Sequence, residues 1–153
     1  MTPLARTNQL LYQAELLITT PVADDEEATS RKMALEESAL ALMELALESH
    51  LKEVTEHARL AEHRWPLLLA ADGPAVAELL RLRDLAGDAD SWLGWLIFQL
   101  DRLHSNEGAA KRPTHNSSMI ALGSQAAFAD ELMACIKNAK AEIAALRETS
   151  EEW

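Results

Sequence analysis

Residues 24–64, DDEEATSRKMALEESALALMELALESHLKEVTEHARLAEHR, contain neither glycine nor proline. Alanine, leucine, glutamate and lysine are strong helix formers, and the apolar positions recur at three- and four-residue intervals. The stretch reads as one long helix with room for a bend near its middle, about 60 Å if unbroken at 1.5 Å per residue. Asp24 and Glu27 have the spacing of a capping box, and the four carboxylates of Asp24–Glu27 suit the positive end of a helix dipole. Trp65-Pro66 closes the helix, since proline cannot continue the hydrogen-bond ladder.

Working outward, Thr2-Pro3 starts a first helix, with a capping hydroxyl followed by proline at the first helical position. Leu4, Leu11, Ala14, Leu17 and Ile18 supply its apolar face, and Thr19-Thr20-Pro21 ends it. Downstream, Asp72-Gly73-Pro74 opens a shorter helix with Val76, Leu79, Leu80 and Leu82 apolar, stopped by Gly87. Asp90-Ser91 caps the next, Trp92–Leu103, which is apolar on nearly every side and predicts a central position or a subunit interface. Residues 105–118 are polar, carry Gly108 and Pro113, and read as a loop. A last helix runs from about Ser124 to Glu148, with a seam of Leu132, Ile136, Ala139, Ile143 and Leu146, and Glu151-Glu152-Trp153 frays. No apolar–polar alternation of strand length occurs, so the fold class is all-α. The expected architecture is one domain over residues 1–153, an antiparallel bundle of four to six helices including a very long one.

Composition limits what such a chain does. Its 153 residues carry 14 basic and 25 acidic side chains, a formal net charge of −11. That balance disfavours nucleic acid, which is held mainly by lysines and arginines on phosphates, and disfavours anionic membranes too. No apolar run approaches the ~20 residues of a spanning helix, and no signal peptide is visible. The single cysteine, Cys135, cannot pair within the chain and lies among apolar neighbours, so it reads as a core residue in a reducing compartment. A cytoplasmic location is expected.

Few residue patterns suggest chemistry. His50, Glu53 and His57 share one stripe of the long helix at offsets of three and seven, and such side chains ligate zinc or iron. One helix directs too few ligands, however, and the paired Glu-x-x-His of di-iron bundles and the His-Glu-x-x-His of zincins are both missing. These three are weak metal candidates, and no cofactor is expected. The pairs Arg59/His63 and Arg112/His115 are too closely spaced for the helical ribonucleases that carry an Arg-polar-x-x-x-His motif. Ser117 and Ser118 near His115 lack a nucleophile elbow, and the five glycines build no phosphate loop. Trp92 and Trp95 have the apolar area and indole donors to line a pocket, and equally the bulk to fill a core.

The run Arg6-Thr7-Asn8-Gln9, with Leu11-Tyr12 and Ala14, places polar residues where an amphipathic helix has no need of them. This opening resembles an uncharacterised family of small bacterial all-helical proteins, a domain of unknown function. The Glu- and Ala/Leu-rich stretch around Glu36–Glu53 and the Asp90-Ser91-Trp92-Leu93 helix start are similar to it as well. The resemblance implies a helical protein with no activity to carry over. It marks Arg6, Asn8 and Tyr12 as candidate binding residues, or as hydrogen-bonding residues that tie the first helix to its neighbours. With no catalytic constellation in view, the favoured expectation is a non-enzymatic interaction or scaffold protein acting as a homodimer. The alternative is a small-ligand binding module with a pocket between helices near Trp92, Trp95 and Tyr12, and a metal-dependent enzyme ranks third.

Overall fold

The computed structural model describes residues 1–110 and 127–151. Among these the chain is all helical, a bundle without strands. Its elements are α1 (Pro3–Ile18), α2 (Ala28–Thr55), α3 (Trp65–Leu68), α4 (Ala77–Ala86), α5 (Trp92–Leu103) and α6 (Phe128–Glu151), with a 3₁₀ turn at Glu56–Ala58. The paired residues Lys111-Arg112, the candidates His115, Ser117 and Ser118, the expected helix start at Ser124 and the last two residues lie outside the described residues.

α1 begins where its sequence places it. The Thr2 hydroxyl accepts a hydrogen bond from the Ala5 amide at 3.1 Å, and Pro3 occupies the first turn. Its buried face is Thr7, Leu10, Leu11 and Ala14. Leu4 lies beyond the edge of that face and is exposed, because the stripe it was expected to share is centred on Leu10 and Ala14. α1 packs most extensively on α2, and at their crossing Thr7 Oγ1 meets Ser49 Oγ at 2.8 Å while Ser49 Oγ donates to the Pro3 carbonyl at 3.0 Å. Two small buried hydroxyls let the helices approach closely and satisfy one another.

α2 is the long helix, but it stops short of the expected end. Its 28 residues finish at Thr55, the 3₁₀ turn follows, and Arg59 adopts a left-handed conformation with φ 48°. The reversal at Arg59 ends the helix, and Ala58 and Leu60 still pack partly against the core. Trp65-Pro66 therefore opens a helix instead of closing one: both belong to α3, with proline in its first turn. The capping box at Asp24–Glu27 does not form either. Asp25 caps a tight turn by accepting from the Glu27 amide at 3.0 Å and pairs with Arg31, and Glu27 makes no side-chain cap.

The Ser91 cap of α5 is present, with its hydroxyl accepting from the Gly94 amide at 2.9 Å. α5 is not the centre of the bundle. It buries Leu93, Leu96, Gln99 and Leu100, while Phe98 is 59% exposed. The central element is α2, which packs against α1, α3, α4, α5 and α6 and buries residues from Glu36 to Thr55. An Ala-rich, amphipathic helix can take neighbours on several sides because its small residues leave room for them. α6 supplies the expected seam, with Leu132, Ile136, Ala139 and Ile143 buried. α1 runs antiparallel to α6 as well as to α2: Asn8 meets Arg147, and Glu15 pairs with Lys140. In α4, Leu79 and Leu82 face the core and Leu80 is exposed.

Candidate functional site

The chain reversal at Arg59 brings residues 61–64 back along the last turns of α2. There they meet the first turn of α1, which the Thr7–Ser49 contact fixes against α2. Between these three segments lies an open cleft of about 550 Å³. That volume falls within the range of small-molecule sites. Its floor is apolar where Leu10 is buried, and Leu45 stands 48% exposed beside it. Arg6, Lys52, His63 and Arg64 reach its walls, with Glu48 the carboxylate among the lining residues.

Glu48 is not idle, since its Oε2 accepts a hydrogen bond from the Trp65 amide at 3.1 Å. One turn earlier on α2, Glu44 Oε2 accepts from the Trp65 indole at 2.8 Å and lies 2.8 Å from His104 Nε2. These two carboxylates hold the start of α3 and the end of α5 against α2. A smaller recess of about 140 Å³ between Glu44, Glu48, Arg64, Trp65, Pro66 and His104 adjoins the main cleft through Glu48 and Arg64. Trp65 thus sits over α2 at Glu44 and Glu48.

The residues singled out in the sequence are dispersed. Arg6 lines the cleft and donates to the Gln9 side chain. Asn8 faces α6, where its Oδ1 accepts from Arg147 at 3.0 Å. Tyr12 is 59% exposed on α1. Trp95 tilts against Phe128 with ring centroids 5.8 Å apart. Trp92 borders a void of about 10 Å³ among Leu11, Met43, Leu47, His50 and Ile143, room for no more than a water. Tyr12 and the two tryptophans therefore share no pocket in the described structure.

Of His50, Glu53 and His57, the first two stay together and the third is drawn away. His50 is buried, with Nδ1 3.3 Å from Glu53 Oε2. Glu53 is gripped by Arg147, whereas His57 lies on the 3₁₀ turn and faces Glu78 at 3.5 Å. Among the described residues no group of three or more His, Cys, Asp or Glu side chains is placed to hold a metal ion. Burial disfavours the Glu53 carboxylate, but hydrogen bonds from His50 and Arg147, together with their charges, outweigh it and hold the carboxyl down to about 2. Burial also pushes the Cys135 thiol up to about 12, which keeps it protonated and unreactive.

Lys52 and Arg64 were not singled out by sequence reasoning, and His63 entered it only through its pairing with Arg59. One signal was available for two cleft residues: Arg6 and Arg64 have no acidic residue three or four positions away to pair with. Lys52 has Glu48 and Glu56 at that spacing and gave no such hint.

A family model described as a family of unknown function (DUF6586) matches residues 1–153. No curated protein and no solved structure matches the chain.

Proposed function

The chain belongs to this family of unknown function, and we propose from its own geometry that it is a non-enzymatic binding module for a small molecule. The observation that carries this reading is the cleft of about 550 Å³ where α1, α2 and residues 61–64 converge. Cleft size, an apolar floor and a few polar groups on the walls are the usual make-up of a ligand site. Among the described residues, two potential nucleophiles are occupied. Ser49 is buried with its hydroxyl bonded to Thr7 and Pro3, and Cys135 is buried with its thiol held protonated. We take the whole of residues 1–153 as one domain working in the cytoplasm. Among the described residues no helix is long and apolar enough to cross a membrane. Native mass spectrometry of protein purified from its host tests the reading. A retained small molecule is expected, and it should be lost in Ala61→Trp, where the indole fills the cleft. A bare chain that also shows no thermal shift across a fragment collection would sink it.

A second reading, self-association as a homodimer, is favoured by α1. Leu4, Tyr12 and Leu16 are 43%, 59% and 49% exposed along its outer side. Large apolar side chains aligned on one exposed helix often mark a protein contact. Light scattering at micromolar concentration should then give twice the chain mass, falling to one chain in Leu16→Asp. A monomer in both proteins rules this out.

A further inference from the structure

We propose that the cleft selects an organic anion, holding its carboxylate or phosphate group with Arg6, Lys52 and Arg64 and its apolar part against Leu45 and Met1. The proposal rests on the reading of the cleft as a binding site and names the chemistry of its ligand.

The chain is strongly acidic, at −11 overall, and among the described residues four of its basic side chains hold a carboxylate. Arg31 holds Asp25, Arg81 holds Glu142, Lys140 holds Glu15, and Arg147 holds Glu53. Arg6, Lys52 and Arg64 hold no carboxylate, although acidic residues outnumber basic ones almost two to one. They come from three separate stretches of the sequence and converge on a single cleft. Three full positive charges face one negative charge there, and that one, Glu48, is already hydrogen-bonded to the Trp65 amide. A cluster of three cations with one carboxylate among them keeps a net positive charge, which raises the local concentration of anions and repels cationic ligands.

Guanidinium groups add geometry to charge. Two arginines can each present paired N–H donors to a carboxylate or phosphate, while lysine supplies a point charge. Beside them the wall turns apolar: above the buried Leu10, Leu45 remains half open to solvent and Met1 lines the same cleft. A purely inorganic anion would leave that surface wet. An amphiphilic anion covers it while its head group meets the cations, gaining burial of apolar area as well as charge pairing.

Isothermal titration calorimetry on the full chain, with octanoate, octyl phosphate, octanol and inorganic phosphate as probes, tests the proposal. Octanoate or octyl phosphate should bind at least about tenfold more tightly than octanol or inorganic phosphate, and more weakly as salt is raised. Lys52→Met and Arg64→Met remove exposed, unpaired side chains and should leave the fold intact by circular dichroism. Each should weaken the amphiphilic anions about fivefold or more and leave octanol unchanged. The relative strength of octanoate and octyl phosphate identifies the preferred head group. If octanol binds as well as octanoate and neither variant matters, anion selection is wrong while the cleft still binds. If no probe binds and Ala61→Trp changes nothing, the cleft is not a binding site and both readings fall.

Discussion

Arg147 on α6 grips Glu53 on α2 through two hydrogen bonds, Nε to Oε1 at 2.6 Å and the second guanidinium nitrogen to Oε2 at 3.1 Å. The same guanidinium donates to Asn8 on α1, so one side chain links the three longest described helices. Bidentate pairing of this kind is directional as well as charged, and both partners are largely shielded from water.

The Glu53 contact makes stability depend on acid. Its carboxyl sits at about 2 in the folded chain against an ordinary 4.5, so the folded state favours the ionised form. That contribution is fully present above pH 4.5 and is lost as pH falls from there toward 2, on the order of 2–3 kcal/mol. Urea unfolding followed between pH 6 and pH 2.5 should show the loss. Glu53→Gln should start less stable and lose correspondingly less across the same window. Parallel pH curves for the two proteins would contradict this account.

Gly94 has a different significance. A Cβ there would lie 2.0 Å from the Asp88 carbonyl oxygen and 3.1 Å from the Ala89 Cα. Gly→Ala inside a helix ordinarily stabilises by up to ~1 kcal/mol. Here the Ser91-capped turn must move away from the backbone it packs on, so Gly94→Ala should destabilise by roughly 2 kcal/mol or more. Thermal melts of the two proteins give the sign directly.

Arg83 holds the connection between α3 and α4. Its Nε donates to the Leu68 carbonyl at 3.0 Å and a terminal nitrogen to the Pro74 carbonyl at 2.6 Å. Arg83→Met keeps the apolar stem and removes both bonds, at a cost of about 1–3 kcal/mol. Limited proteolysis should then cut first between residues 69 and 76. An unchanged cleavage pattern would show that the loop is held by other contacts.

The turn after α5 is organised by a carboxylate. Glu37 Oε1 accepts from the amides of both Ala109 and Ala110, at 3.1 and 3.2 Å. Gly108 makes this possible, with φ +75° and its Cα so close that a Cβ would meet Glu37 Oε1 at 2.4 Å. Gly108→Ala combines left-handed strain with that contact and should cost about 1–3 kcal/mol. Hydrogen exchange at the Ala109 and Ala110 amides should accelerate in both Gly108→Ala and Glu37→Ala. Protection that survives in both would mean the carboxylate does not hold this turn.

Much of the fold was legible because it is written in short-range relations. The Thr2 and Ser91 caps act over three residues, and the α6 seam from Leu132 to Ile143 repeats every three or four. The end of α2 was not legible. Arg59 takes a left-handed conformation without being glycine, so no residue type in the sequence marks the place where the helix ends. Of the candidate site, only Arg6 was picked out as a binding residue, although Arg64 carried the same signal of a cation without a local acidic partner.

By itself, then, the sequence determined an all-helical, acidic chain, the starts of α1 and α5, and the apolar faces each helix must cover. Which helix lies at the centre, where α2 reverses, and that Arg6, Lys52 and Arg64 meet were decided only by tertiary structure. The physical reason is one of range. Hydrogen-bond ladders, caps and periodicity act over a few residues, and so can be read locally. A periodic stripe records that a face must be buried but not which partner buries it. Residues 6, 52 and 64 become neighbours only after the small buried pair Thr7 and Ser49 has locked α1 onto α2 and the chain has turned back at Arg59.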